Sequence, residues 1–204
     1  MDLMVLSVGI RIFLKFLAWN KDMTFANEKK TFLAKSDKSK KGSIDIRMLP
    51  IIKVVNSHSG YYTTSSCSGR VYFWQGSEKK NEMEWVKVSH ELIDVSFLEI
   101  PARRGVVWLR FESSIIHIAC DSLQSANGLL DAVKSLYKKS SILTARKKII
   151  VEIRGGEILE MPFYRDGELQ FSGDRKWLLD LINHKLEKNL ERLEKLKSVI
   201  ERVK

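Results

Sequence analysis

The chain has 204 residues, 44% of them apolar, enough for one domain with its own core or for a domain plus an appendage. That composition excludes a disordered chain, a collagen or a small disulfide scaffold, and two cysteines, Cys67 and Cys120, make neither a disulfide framework nor a four-ligand zinc site. The 35 Lys+Arg outweigh 25 Asp+Glu for a formal net charge of +10, which favours a polyanionic partner, nucleic acid ahead of an anionic membrane surface.

Residues 1–20 are apolar, but Arg11 and Lys15 interrupt them and no small-residue cleavage site follows. They fall short of the roughly 20 apolar residues of a membrane span, so they read as an extension ahead of the domain and no membrane partner is expected. Thr24 is placed to cap a short helix through Phe25, Phe32 and Leu33, which ends in the loop chemistry of Ser36, Asp37, Ser39 and Gly42. A second helix is predicted from Asp45 through Ile46, Leu49, Ile52 and Val55, or from Pro50 onward. From Tyr61 the chain turns β-branched and aromatic; Arg70–Trp74 and Glu84–Ser89 read as strands. Val106–Glu112 and Ile115–Cys120 read as two strands joined at Ser113-Ser114 by a tight hairpin or a bulge. A helix is predicted over Ser122–Lys139 and strands over Ile149–Ile153 and Ile158–Phe163, with a turn at Gly155-Gly156. From Asp174 to the end, Leu178, Ile182, Leu186, Leu193, Leu196 and Ile200 mark one long amphipathic helix that either packs on the domain or self-associates as a coiled coil. The expectation is an α+β domain with a central mixed sheet, its core over residues 21–172 and the terminal helix over 173–204.

The charge is unevenly spread. Residues 1–60 carry eleven basic and five acidic residues, 61–120 carry seven of each, and 121–204 carry seventeen against thirteen. The excess sits mainly between Lys29 and Lys41. Lys35, Lys38, Lys40 and Lys41 suit a phosphate backbone, since lysines without aromatics give affinity without base readout. Asp37 and Asp45 within this basic stretch are either salt-bridge partners or acid/base groups.

The second unusual stretch is Tyr61-Tyr62-Thr63-Thr64-Ser65-Ser66-Cys67-Ser68-Gly69-Arg70. It is either a Ser/Thr-rich surface loop or a cradle in which hydroxyls, backbone N–H groups and the Arg70 fork receive an anion. The aromatic residues on both sides favour a structured site. No spacing fixes a base beside Cys67, so a catalytic thiol is not expected. His90 and His117 each sit on a strand, where a lone histidine is by default structural; His184 is expected to be exposed. No G-x-x-x-x-G-K-[ST] loop, G-x-G-x-x-G turn or H-E-x-x-H helix occurs, so a P-loop, a dinucleotide-type cofactor turn and a metal are not expected.

Taken together, Asp37 through Asp45, Asn56, and Tyr62 through Arg70 resemble the signature of the tRNA wybutosine-synthesis methyltransferases, the third enzyme of that pathway and its archaeal relatives. The likeness continues through Trp85, Ser89-His90, Phe111-Glu112, His117, Cys120 and Val151-Glu152-Ile153-Arg154, over roughly residues 25–163. It departs at Ser113, where the family commonly has proline, and at Ser140-Ser141-Ile142, where serine-glycine-isoleucine is the pattern. The resemblance implies methyl transfer from S-adenosylmethionine to a ring nitrogen of the tricyclic guanine derivative beside the anticodon of tRNA(Phe), in the cytoplasm. It implies a non-Rossmann cofactor site at Ser65, Ser66, Ser68, Gly69, Arg70, Glu112 and His117, with Asp37, Asp45 or His90 as proton acceptor. The anticodon stem-loop would meet Lys35, Lys38, Lys40 and Lys41, and an extruded base would stack on Tyr61, Tyr62 or Trp85. A non-catalytic RNA-binding module explains the charge alone, and an interaction protein explains only the terminal helix.

Overall fold

The computed structural model describes residues 24–35, 45–76 and 82–203. A helix over residues 24–33 (α1) is followed by a 3-10 turn over Ile46–Met48 and by α2 (Leu49–Ser57), with Pro50 in its first turn, where a missing N–H costs nothing. The strands are β1 (Tyr61–Gln75), β2 (Glu84–Ser89), β3 (Val106–Cys120), β4 (Ser141–Ala145), β5 (Ile149–Arg154), β6 (Ile158–Arg165) and β7 (Glu168–Leu169). Between β3 and β4 lies α3 (Leu123–Val133), and the chain closes with α4 (Arg175–Ile200).

The seven strands form one sheet in the order β2-β1-β3-β5-β4, with β6 pairing β3 and β7 pairing β6. Every described pairing is antiparallel. The α+β class holds, but the mixed sheet does not. The two long connections, residues 90–105 and the α3 segment 121–140, each carry the chain past one strand, from β2 across β1 to β3 and from β3 across β5 to β4, so the strands they join are not neighbours and every hydrogen-bonded pair is antiparallel.

β1 and β3 are each 15 residues long and pair along nearly their whole length. The hydroxyl-rich stretch 61–70 is therefore strand rather than loop, and Ser113-Ser114 lies within one strand rather than at a hairpin. What the serines mark is a change of phase. Along β3 the buried residues run Val107, Leu109, Phe111 and Ser113, then Ser114, Ile116, Ile118 and Cys120, with Ala119 buried beside them. β1 changes phase at the same rung: Gly69 pairs Ser113 and Arg70 pairs Glu112, so the kinks coincide and the register survives. Gly69 has φ +96°, and a Cβ there would lie 2.7 Å from Asn189 Nδ2 and 2.9 Å from the Glu112 carbonyl oxygen, so only glycine fits. On the far side of β3 the partner strand also changes at this point: β6 pairs Val106–Glu112 and β5 pairs Ile115–Cys120. The changeover is closed by Gly155 N–H to the Ser114 carbonyl (3.0 Å) and by Ser113 Oγ to the Glu157 carbonyl (2.5 Å).

α4 covers one face of the sheet from end to end. A 26-residue helix is about 39 Å long. Its first half (Leu178, Leu179, Ile182, Leu186) packs on Val71, Phe73, Leu109, Phe111 and Phe163. Its second half (Leu193, Leu196, Ile200) packs with α2 and α3 on Ile116, Ile118, Val151 and Ile153. The apolar stripe read as a possible coiled-coil seam is thus buried in the protein's own core. Between the halves sits Asn189, 2% exposed, which accepts from Ser114 N–H (2.8 Å) and donates to the Ser68 carbonyl. It supplies to the kink the hydrogen bonds that the ladder loses there.

Asn189→Ala strands a buried N–H and a buried carbonyl, so it is expected to destabilise the fold by about 2–4 kcal/mol. Urea unfolding measures this; a change below about 0.5 kcal/mol would show that the kink does not depend on the asparagine.

Candidate functional site

The face of the sheet turned away from α4 carries most of the polar residues singled out by sequence. At the β2 side of the kink, Arg70 pairs with Glu112 (Nη2 to Oε2, 3.2 Å) and lies 4.2 Å from the Trp85 ring centroid and 5.0 Å from that of Tyr72. Both charges are partly exposed, and the Arg70 Nε is buried without a hydrogen-bond partner. Tyr72 is buried, and burial together with the Glu112 carboxylate pushes its hydroxyl pKa up, so it stays protonated. Trp85 is 43% exposed and keeps part of its ring open beside the guanidinium. Farther along, Arg110 and Trp74 both reach Glu160 Oε1, at 3.2 and 3.1 Å.

Asp45 enters from the N-terminal side of the 3-10 turn. β1 pairs with β2 only from Val71 onward, so among the described residues no strand lies along 61–68 on that edge. Two side chains stand in: Asn56 Oδ1 accepts from Thr63 N–H (2.8 Å) and Asp45 Oδ2 from Ser68 N–H (2.9 Å). Asp45 also caps the turn through Arg47 N–H (3.1 Å). Burial alone would raise its pKa, but the Ser68 hydrogen bonds, the neighbouring His90 and the Arg47 N–H hold it below the ordinary 3.8.

His90 Nδ1 lies 2.9 Å from the Gly69 carbonyl oxygen, an acceptor only, so this nitrogen carries the proton. It stands 3.5 Å from Asp45 Oδ2 and 4.0 Å from Cys67 Sγ. One atom each from Asp45, Cys67 and His90 fall within 4.8 Å of one another, a trio that sequence spacing did not reveal. These are potential metal donors, but the carboxylate and the ring nitrogen already serve Ser68 and Gly69. The trio is knit by hydrogen bonds that hold the kink. Burial pushes the Cys67 thiol pKa up, so the sulfur is held in its protonated form.

On the other side of the kink, Ser65, His117 and Glu152 form one line across β1, β3 and β5. Ser65 Oγ is 2.9 Å from His117 Nδ1, and His117 Nε2 is 2.9 Å from Glu152 Oε2. Nothing in the spacing of these residues announced the line, because it depends on strand register.

The fold brings Asp45, His90, Ser65, Arg70, Glu112 and His117 to β1 and its immediate neighbours. Ser68 is buried, with its N–H on Asp45 and its carbonyl on Asn189, and Gly69 is packed at the kink, so both hold the backbone rather than reach outward. Ser66 is half-buried opposite Ile116. Tyr61 and Tyr62 do not serve as open stacking platforms. Tyr61 is in the core, its hydroxyl donating to the Ser125 carbonyl (3.0 Å). Tyr62 is covered by Phe25 and Phe32 of α1, at ring-centroid distances of 5.5 and 5.1 Å. Lys35 is exposed at the end of α1; Asp37, Lys38, Lys40 and Lys41 lie outside the described residues, as do residues 1–20. His184 is exposed, and among the described residues no helix is long and apolar enough to cross a membrane. Asn189 escaped the sequence reading, although an amide at a core position of the last helix, three residues after Leu186 and four before Leu193, was a usable signal.

Comparison with known proteins gives one consistent result. The family model described as Methyltransferase TYW3 matches residues 27–202. The tRNA wybutosine-synthesizing protein 3 homolog of Xenopus laevis is 31% identical over 88% of this chain and 76% of its own. The tRNA(Phe) 7-((3-amino-3-carboxypropyl)-4-demethylwyosine(37)-N(4))-methyltransferase of Thermococcus sibiricus is 29% identical over 87% of this chain and 94% of its own. The solved structure of the PH1069 protein from Pyrococcus horikoshii superposes with a TM-score of 0.78 at 28% identity, covering 88% of this chain and 97% of that one.

Because the Asp45 carboxylate has a lowered pKa, its ionised form stabilises the fold above its ordinary 3.8, and that contribution is lost as the pH falls through the lowered folded value. Asp45→Asn is expected to cost about 1–2 kcal/mol at neutral pH. In urea titrations the gap from wild type should shrink below about pH 3.8; a gap independent of pH would contradict this role.

Proposed function

The chain belongs to the Methyltransferase TYW3 family, and on that footing we propose that it methylates a ring nitrogen of the tricyclic wyosine-type guanine derivative beside the anticodon of tRNA(Phe), in wybutosine biosynthesis, with S-adenosylmethionine as donor. The observation that carries this reading is the agreement between the family match and the polar face built around β1, where Ser65 and Arg70 of β1, Glu112 and His117 of β3 and Trp85 of β2 stand on three adjacent strands. From Ser65 to Arg70 the strand runs roughly 16 Å, room for a nucleoside-sized donor beside a large base.

The residues present suit the donor. The unpartnered Arg70 Nε and the partly exposed guanidinium, on a side chain 22% exposed, fit a carboxylate. Glu112 is an acceptor for ribose hydroxyls, and the open part of the Trp85 ring tolerates a cation. When bound, S-adenosylmethionine supplies an electrophilic methyl group on a sulfonium. The protein's own task is alignment of that carbon with the attacking nitrogen, exclusion of water, and acceptance of the proton the nitrogen sheds.

For the RNA, the basic stretch Lys35–Lys41 supplies charge for anticodon stem-loop phosphates and Trp85 a stacking surface for the extruded base. Each phosphate neutralised adds to the salt dependence, so affinity should fall steeply between 50 and 200 mM salt. A cytoplasmic location goes with this reading.

Incubation with labelled S-adenosylmethionine and tRNA(Phe) bearing the demethylated base should label the RNA, and Arg70→Ala should raise the dissociation constant of S-adenosylhomocysteine by about tenfold or more. Binding of tRNA with no transfer by the wild-type protein would leave a non-catalytic RNA-binding module.

A further inference from the structure

We infer that Ser65, His117 and Glu152 form the relay that removes the proton from the ring nitrogen during methyl transfer, with His117 as its acceptor. The inference rests on the methyl-transfer reading above and reassigns Ser65 and His117 from cofactor binding, and the proton-accepting role away from Asp45 and His90.

The relay occupies a single rung of the sheet. Ser65 on β1 pairs with His117 on β3, and His117 pairs with Glu152 on β5. The register exists because β1 is bulged: Thr63 pairs Ile118 and Ser65 pairs His117, so Thr64 is an extra residue. Thr63 faces the core. In a regular strand Ser65 would face it too; the inserted Thr64 turns the Ser65 hydroxyl onto the side of His117. The Thr64 hydroxyl donates to the His117 carbonyl (3.2 Å), pinning the bulge to this rung.

The hydrogen-bonding inventory sets the protons. The Glu152 carboxylate only accepts, so His117 Nε2 carries the hydrogen and donates to it across 2.9 Å. Nδ1 is then an acceptor, and the Ser65 hydroxyl donates to it, also across 2.9 Å. Exposure falls along the chain: the Ser65 side is open, the His117 side chain is 26% exposed and that of Glu152 14%. Arg154 Nη1 is 3.7 Å from the other Glu152 oxygen, Oε1. With its proton committed to His117, the serine oxygen is left with lone pairs toward the open face, where an N–H can be received.

The step balances without a further reactant. The ring nitrogen's electron pair forms the new N–CH3 bond as the C–S pair returns to sulfur. The N–H proton moves to Ser65 Oγ, whose own proton moves to His117 Nδ1. The resulting imidazolium faces Glu152, which stabilises the charge and keeps the ring in its tautomer. His90 is set apart by its place rather than its tautomer: its ring is 18% exposed and packed at the kink between the Gly69 carbonyl and Asp45, where it holds backbone.

The test compares wild type, Ser65→Ala, His117→Ala, His117→Gln and Glu152→Gln in single-turnover transfer to tRNA bearing the demethylated base, at saturating donor. Dissociation constants for S-adenosylhomocysteine and tRNA are measured separately by calorimetry. His117→Ala should slow transfer by about 10²–10⁴-fold with both affinities within about threefold of wild type. Added imidazole should restore part of the rate to His117→Ala and none to Glu152→Gln. Histidine-ring 15N spectra of the wild type should show His117 protonated at Nε2. Retained transfer in His117→Ala and His117→Gln, an affinity loss equal to the rate loss, no imidazole rescue, or a ring protonated at Nδ1 would each overturn the relay while leaving the methyltransferase reading intact. Absence of transfer by the wild type would remove both.

Discussion

The shared kink of β1 and β3 is the constraint on which the rest of the molecule depends. Two 15-residue antiparallel strands change phase at the same rung, Gly69 opposite Ser113, so pairing continues while side chains exchange faces. Two apolar cores then form under one sheet, each beneath half of α4. Phase changes leave backbone groups without ladder partners, and buried orphans are costly. Asn189 meets that demand from the helix side, Asp45 and His90 from the sheet's other margin. The polar residues at the kink are thus bound to the architecture, whereas Arg70 and Glu112, one rung away, and Ser65 and His117, four residues away on the other side, turn outward.

This division sorts residues that look alike in the sequence. Ser65, Ser66 and Ser68 are equivalent hydroxyls in a row, yet the bulge at Thr64 and the kink at Gly69 give them different surroundings. Ser65 reaches His117, Ser66 lies half-buried opposite Ile116, and Ser68 is sealed between Asp45 and Asn189. Arg70, the first outward residue past the kink, meets Glu112 across the ladder and Trp85 on the neighbouring strand. In the proposed reading, a donor-holding end and a proton-accepting end are separated by the kink itself. The same strand supplies both, which fixes their spacing more firmly than two loops would.

Much of this was legible in the amino-acid pattern. The long terminal helix followed from its period, the helix at Pro50 from its cap and apolar steps, and the break at Ser113-Ser114 from the altered alternation of β3. Nothing in two serines distinguishes a hairpin from a phase change, because both interrupt alternation; only the partner strand decides. The stretch from Tyr61 to Arg70 reads as loop because serine and glycine are weak strand formers, and it becomes strand through pairing with β3. Tyr61 and Tyr62 are adjacent, so one enters the core and the other meets α1, and neither stays open. The short edge strand β4 carries too little alternating apolar surface to announce itself. Asp45 and His90 were recognisable by resemblance, but their bond to the kink was not, since it joins positions far apart in sequence.

The central claim is that the outward face of β1 and β3, on both sides of the kink, is where donor and base meet. Amide chemical-shift mapping of 15N-labelled protein with S-adenosylhomocysteine tests it most directly. The account predicts shifts concentrated in Ser65–Arg70 and Glu112–His117, with α3 and β4 unmoved; shifts confined to α3, β4 or the exposed side of α4, with β1 silent, would contradict it.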